Sequence, residues 1–411
     1  MAELKGIEYL RRKLESKRIG VLKRYKYYEM KNIAFDFGIS SPPSLKTWNS
    51  IIGWNAKAVD ALADRLIFRE FSDDNLGLNE IFQMNNPDVL FDSSILGALI
   101  SSCNFIYISA DEDGYPRLQA IDGANATGII DPFTGLLLEG YAVLERDSEN
   151  DSPIVEAYFE PGATTFYYRY EDEAEVITNK APYPLLVPII NRPDAVRPFG
   201  HSRISRACMS LTGSALRTIK RSEISAEFFA YPQRYVTGLD QDAEQMNNWK
   251  AAMSSFMAFT VNEDGTDNVK LGQFAQQSME PHLAQLRMFA SLFAGETGLT
   301  LDDMGFPTDN PSSAEAIKAA HENLRLSARK AQRTFGSGFL NAGYLAACVR
   351  DNFAFRRDVL YLTKPEWQPV FEPDSAMLSS IGDGIIKINQ AIPGYFDKEN
   401  TVTLTGIDSG E

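Results

Sequence analysis

Three groups of residues in this chain have types and spacings that could do chemistry. Asp302, Asp303 and Asp309 lie in a glycine-rich loop, 295–310, where carboxylates could gather a divalent cation. Adjacent aspartates in such a loop read first as solvated side chains. His201 and Cys208 stand at the start of a long helical pattern and have the residue types of a thiol nucleophile and its base. Cys208, however, falls on the apolar stripe Ile204, Cys208, Leu211, Ala215 and Ile219, so it reads as core. Asp111-Glu112-Asp113-Gly114 opens like a calcium loop, but Asp122 stands where the closing Glu should be, which leaves a plain Asp-Gly turn.

Other signatures are missing. No Gly-Lys dipeptide occurs, so there is no GxxxxGK[ST] phosphate loop, and GxGxxG and GxSxG are also absent. The histidines, 201, 282 and 321, and the cysteines, 103, 208 and 348, never come at metal-ligand spacing. The expectation is a chain with no metal, no cofactor and no catalytic residue. An acidic cytosolic enzyme whose carboxylate site converges from distant positions remains the alternative.

The elements that would position these residues follow from periodicity. Glu3 to about Lys31 reads as one amphipathic helix, with room for a second, and its basic face reads as solvated surface. After the Ser40-Ser41-Pro42-Pro43 stop, Trp48 to Phe71 is expected to be helical, and Leu76 to Phe105 to form two helices parted near Pro87. Strand periodicity then takes over. Segments 105–108, 117–121, 126–130, 136–144, 154–159, 164–170 and 175–178, with the Asp131-Pro-Phe-Thr-Gly135 hairpin, predict an antiparallel sheet of five or more strands. A Pro-rich connector, 182–198, leads to a long helix from Ser202 to Tyr231-Pro232. An insert follows: a strand at 234–237, a helix at 242–257, and strands at 258–261 and 269–271 joined by a polar turn at Asp264-Gly265. A second helix, 280–293, returns the chain, so two helices enclose a small α/β tip. Asn310-Pro311-Ser312-Ser313-Ala314-Glu315 starts another helix, in either of two capping registers. It is expected to run to Arg350 with a break near Phe335-Gly336-Ser337-Gly338. A strand at 368–371 and a helix at 375–390 complete an α+β fold.

The chain has 411 residues, 44% of them hydrophobic and 23% charged, enough for two or three cored domains. Its longest apolar stretches, 95–100 and 184–190, are far shorter than the roughly 18 residues of a membrane span, so no membrane partner is expected. The basic N-terminus has no apolar signal core and the cysteine count is odd, from which cytoplasmic synthesis is expected. Net charge is -15; residues 1–31 hold ten Lys or Arg against four Glu, which is +6, so the remainder carries -21. That balance argues against a grip on nucleic acid by the whole surface.

The order of parts carries a resemblance. Asn191-Arg192 through Phe199-Gly200-His201-Ser202-Arg203-Ile204, feeding a long helix, resembles the NR…GxSxI start of the stem helix in portal proteins of long-tailed bacteriophages. Asn310-Pro311-Ser312-Ser313-Ala314-Glu315-Ala316-Ile317-Lys318-Ala319-Ala320 looks like that family's NPSSAEAIRAAE segment, preceded by its Thr297-Gly298-Leu299 loop, and Arg117 to Gly135 is similar to its wing. The likeness spans about residues 30–390. It implies a portal-type subunit: wing 1–200, first stem helix 201–229, clip 230–278, second stem helix 279–294, tunnel loop 295–310, long bracing helix 311–350, wing return 351–374 and a short helical crown 375–411.

The resemblance further implies a ring, typically of twelve copies, at one capsid vertex of the virion, assembled in the host bacterial cytoplasm. Double-stranded DNA would pass through it without sequence readout. Thr300, Asp302, Asp303, Thr308, Asp309 and Asn310 would face that DNA. Arg217, Lys220 and Arg221 of the stem would line the lumen or pair with a neighbouring subunit. Asp240, Asp242, Trp249, Glu263 and Asp264 of the clip would dock the large terminase and later the head-completion adaptor. Major capsid and scaffolding proteins are further expected partners. Another virion connector protein would share the ring but not the helix, clip, helix order.

Overall fold

The computed structural model describes residues 4–33, 49–171, 173–230, 234–239, 256–260, 270–273, 278–307, 319–371 and 375–405. Helix α1 (Ile7–Tyr28) is followed by α2 (Trp54–Ala63), strand β1 (Phe68–Phe71), α3 (Leu78–Gln83) and α4 (Pro87–Ser101). Strands β2 (Cys103–Ala110), β3 (Pro116–Ile121), β4 (Ala126–Ile130), β5 (Leu137–Arg146), β6 (Pro153–Glu160), β7 (Ala163–Tyr168), β8 (Glu175–Thr178) and β9 (Leu186–Ile190) come next. After α5 (Arg206–Ala230) lie β10 (Arg234–Leu239), β11 (Phe256–Thr260) and β12 (Lys270–Gln273). Then follow α6 (Glu280–Thr297), α7 (Glu322–Arg350), β13 (Pro365–Trp367), α8 (Ser375–Ala391) and α9 (Lys398–Thr405).

Strands β4 to β8 form an antiparallel meander in sequence order, whereas the expected strands at 105–108 and 117–121 belong to a separate sheet rather than to the same one. Successive residues of β5 point to opposite faces: Tyr141 and Val143 meet Leu10 and Leu14 of α1, while Ala142 belongs to the main core. The start of α1 is held by a buried carboxylate, since Glu139 accepts from the amides of Lys5 (2.9 Å) and Gly6 (3.0 Å) and from the Tyr158 hydroxyl (2.9 Å). Arg11 donates twice to Glu156, at 3.1 and 2.7 Å, and fastens the next turn to β6.

The main core lies between α4, α7 and a second sheet of order β3-β2-β9. Strand β9 falls inside the expected Pro-rich connector. It pairs only with β2, so Pro188 sits on an edge where its missing N–H breaks no ladder. The expected helix 48–71 is shorter: α2 ends at Ala63, and Phe68–Phe71 instead pairs antiparallel with β13, which begins three residues before the strand expected at 368. An aromatic cluster fixes that pairing. The Phe68 ring lies 4.4 Å from Phe91, 5.1 Å from Phe71, 5.3 Å from Trp367 and 5.7 Å from Phe339, joining β1, α4, α7 and β13.

In the insert, β10 pairs in parallel with β11 and antiparallel with β12, so the two strands expected to follow one another across a turn lie on opposite sides of β10. The expected helix 242–257 lies outside the described residues except at its end, where Phe256 and Met257 begin β11.

The long helix does not break at Gly336 and Gly338. It is interrupted earlier, at His321 (φ -92°, ψ 6°), and α7 is continuous from Glu322 to Arg350. The two glycines mark close approaches instead. A Cβ on Gly336 would lie 2.5 Å from Pro365 Cγ, and one on Gly338 2.7 Å from Ile189 Cδ1. Their absence lets α7 pack against β13 and β9 at once.

Two substitutions of the same chemistry are therefore expected to act in opposite directions. Gly336→Ala should lower stability by about 1–3 kcal/mol through overpacking against Pro365. Gly382→Ala in α8, where nothing lies within 4 Å of the added carbon, should raise it by about 0.5–1 kcal/mol. Urea unfolding of the two variants checks the sign of each.

Candidate functional site

Among the described residues singled out by the sequence, His201 and Cys208 lie at the root of the helix pair α5 and α6, and Thr300, Asp302 and Asp303 just past the end of α6. The root is built from the segment 191–205. Asn191, fully buried, receives its shape from both directions: its amide donates to the Ser102 carbonyl (2.9 Å), and its side-chain Nδ2 to the His201 carbonyl (2.7 Å). The His201 amide donates back to the Asn191 carbonyl at 2.8 Å. Gly200 makes this crossing feasible, with φ 73° and a would-be Cβ 2.1 Å from the Asn191 oxygen. Ser202 Oγ then donates to the Ile100 carbonyl at 2.6 Å, and Ser205 Oγ accepts from the Cys208 amide at 3.1 Å, capping α5.

Arg203 ties three helices together. Its amide donates to the Leu99 carbonyl of α4 (2.8 Å), its Nε to the Ala58 carbonyl of α2 (2.7 Å) and its Nη2 to the Thr297 carbonyl at the end of α6 (2.7 Å). Burial pushes this guanidinium down to about 10, which still leaves it charged at neutral pH.

From that root α5 and α6 run antiparallel. Ser205 Oγ donates to Glu296 at 2.8 Å near the base, Thr218 Oγ1 to Gln285 Oε1 at 3.1 Å higher up, and Ser225 meets His282 at 3.3 Å beyond. Ala215, Ala290 and Phe293 fill the seam, and Asn55 of α2 donates to Thr212 at 2.8 Å. On α6, Leu283, Met288 and Leu292 are about half exposed, Met288 and Leu292 sharing one face, as is Ile386 of α8.

Past α6, Asp303 is not simply solvated. Its Oδ2 accepts from the Thr300 amide (2.9 Å) and hydroxyl (2.8 Å) and lies 3.4 Å from His321 Nε2, at the very residue that precedes α7. Burial alone would raise this carboxyl; the Thr300 donors and His321 outweigh it and hold the group below the usual carboxylate range. Thr300 and Asp303 thus act together as a brace between α6 and α7, and Asp302 also has a partner. Thr308, Asp309 and Asn310 lie outside the described residues, as do Asp240, Asp242, Trp249, Glu263 and Asp264.

Arg217 donates to Ser214 at 2.9 Å, Lys220 is half-buried, and Arg221 is exposed; neither Arg217 nor Lys220 is free. His201 turns toward Asp194 (2.5 Å) rather than Cys208, and Asp194 is lowered to about 2, chiefly by that contact. Cys208 is buried, which pushes its thiol up. Asp111 accepts from the Tyr115 amide at 2.7 Å and pairs with Arg117 at 2.8 Å, the plain turn expected. Among the described residues no group of three His, Cys, Asp or Glu could hold a metal ion, and no helix is long and apolar enough to cross a membrane. Sequence reasoning missed the roles of Asn191 and Arg203, because their acceptors are main-chain carbonyls that leave no mark on residue type.

No family model matches the chain. It is 23% identical over 342 residues to the portal protein of Mycobacterium phage D29, covering 78% of this chain and 69% of the relative. It is 24% identical over 345 residues to the portal protein of Mycobacterium phage L5, with the same coverage. Among solved structures, the virion of a native gene transfer agent particle gives a TM-score of 0.45 at 12% identity, covering 96% of this chain and 99% of that one. The neck of a native gene transfer agent particle computed with C12 symmetry gives 0.43 at 12% identity, with the same coverage.

Arg203→Lys keeps the charge but loses the fork, so one of two carbonyls is left without its donor; a loss of about 1–3 kcal/mol in urea unfolding is expected. For Asp303, a depressed folded pKa means stability that is present above the unfolded value and lost as pH falls through the folded one. Asp303→Asn should therefore cost about 1 kcal/mol at pH 7, with the gap to the parent closing below about pH 4. A gap constant from pH 7 to 3 would count against the brace.

Proposed function

We propose that this chain is the subunit of a phage portal: copies close into a ring at one capsid vertex, a channel for double-stranded DNA during packaging and ejection. The relationship to two phage portal proteins across 78% of the chain carries the reading. In this reading 1–200 and 351–374 serve as wing, 201–229 and 279–294 as stem, 230–278 as clip, 295–310 as tunnel loop, although α6 continues helical to Thr297, 311–350 as brace and 375–411 as crown.

Physical features support it. The antiparallel helix pair has its base fixed by Arg203 and leaves an exposed apolar patch at Met288 and Leu292, four residues apart on one face of α6; a neighbouring copy would cover that face. The acidic charge suits a conduit. Twelve copies of -15 carry -180, and an acidic lining repels phosphate, so the duplex slides instead of adhering. Arg217, Lys220 and Arg221 then serve inter-subunit pairing or the centring of DNA. With no phosphate loop in the sequence, the chain is a structural channel and docking platform rather than an enzyme, and a separate terminase supplies the work. The clip docks that motor and afterwards the head-completion adaptor, and capsid and scaffolding proteins surround the wing. The site of action is the virion vertex.

Twelve copies of 45.8 kDa make about 550 kDa. Native mass spectrometry and negative-stain imaging are expected to show a closed ring near that mass with a central hole. Leu292→Glu, on the exposed face of α6, should weaken assembly by about tenfold or more while leaving the circular dichroism of the subunit unchanged. A persistent 46 kDa species at high concentration, or ATP turnover by the purified chain, would overturn the reading.

A further inference from the structure

Helix α1 carries its basic residues in two stripes with different fates. Arg11 and Arg18, seven apart, turn to the meander and pair with Glu156 and Asp151. Lys13, Lys17 and Arg24, at spacings of four and seven, share another stripe. These three line a cavity of about 450 Å³ between α1, the start of β2 and the loop 196–200, where Arg197 joins them. Among the described residues lining this cavity none is acidic.

That is an unusual concentration of positive charge in a chain of net charge -15. Two of the cations are held at a cost. Burial, then Arg197, keeps Arg24 below the ordinary guanidinium value, and no carboxylate acts against them. Arg24 Nη1 donates to the Gly20 carbonyl at 2.9 Å, while its buried Nε has no partner. Lys13, half-buried, donates to the Gly128 carbonyl at 2.5 Å and stands 4.7 Å from the Phe199 ring centre. Burial first, then Lys5 and Lys17, lower its pKa. The carboxylate that acts on it is Glu139, whose oxygens already serve Lys5, Gly6 and Tyr158. Arg197 Nη1 lies 3.5 Å from His201 Nδ1, and cations gathered in one concavity with no carboxylate partner among the described residues favour a ligand that brings several negative charges and several acceptor oxygens. The volume falls in the ordinary range for a small-molecule site, roughly 300–1,000 Å³.

We propose that this cavity is a binding site for a multivalent phosphate, held by Lys13, Lys17, Arg24 and Arg197 through charge-assisted hydrogen bonds. The site belongs to the α1–β2 region, and the proposal does not rest on ring formation or on the channel. Its phosphate comes either from a free compound, such as a pyrophosphate, or from the phosphodiester backbone of nucleic acid.

Isothermal titration of the full chain with pyrophosphate, at constant ionic strength, is expected to show saturable binding with one site per chain. Lys17 and Arg197 are exposed, so Lys17→Glu and Arg197→Glu leave the fold intact; each should weaken binding about tenfold or more. Lys23→Glu, the same charge change on α1 outside the cavity, should leave affinity within about twofold. Arg24→Met should raise the melting temperature of the free chain and abolish the further rise that pyrophosphate produces. A short duplex that displaces pyrophosphate assigns the site to a nucleic-acid backbone, and one that does not assigns it to a free phosphate; both support the proposal. Absence of saturable binding, or equal loss in the Lys23 variant, overturns it.

Discussion

One buried cation sets the geometry of the helical part of this molecule. Arg203 is taken out of water far enough that its pKa falls to about 10, and the desolvated guanidinium requires acceptors in fixed places. It finds them in the Ala58 carbonyl of α2 and the Thr297 carbonyl of α6, while its own amide takes the Leu99 carbonyl of α4. The planar fork permits little variation in where those oxygens lie. Three helices from distant stretches of sequence are thereby referred to one point, and α5 starts three residues later. The direction of the α5–α6 pair is a consequence of that point, reinforced by Asn191, Gly200 and the Ser205–Glu296 bond around it.

A second theme is the sorting of charge. Charged groups that pack are paired: Arg11 with Glu156, Asp303 with Thr300 and His321, Glu139 with two amides and a hydroxyl. Each of these joins an element to one distant in sequence, so the polar contacts specify which surfaces meet while the apolar core supplies most of the free energy. Several cations are held without a carboxylate partner among the described residues, Arg203 by carbonyls and Arg357 in its own half-buried place, and the lysines and arginines of the α1 cavity differ in gathering around one concavity.

Much of the fold was legible in residue order. The five-stranded meander followed from alternation and from its turns, and α5 and α6 from apolar spacing, because in each the local preference and the tertiary burial agree. The errors came where they disagree. Pro188 disguised β9, although an edge strand tolerates it. Gly336 and Gly338 look like helix breakers, but their lack of a side chain serves contact with Pro365 and Ile189. Asp303 resembled a solvated loop acid, since nothing in the local sequence reveals that His321 lies beside it. Of the candidate site, the motif 199–204 was recognisable as a pattern; the reason for Arg203 was not, because peptide carbonyls are common to every residue.

The pairing of β1 with β13 has a consequence for the order of events in synthesis. Phe68 and Trp367 are partners across a separation of about 300 residues. At a translation rate of roughly 5–20 residues per second, the later strand emerges about 15–60 s after the earlier one. During that interval the aromatic surface of β1 and α4 has no final cover, whereas the α5–α6 pair closes over a far shorter loop and can form first. Nascent chains of this protein thus pass through a stage in which the helical arm is finished and the domain that carries it is not, a stage at which chaperone contact or premature association would concentrate on Phe68, Phe71 and Phe91.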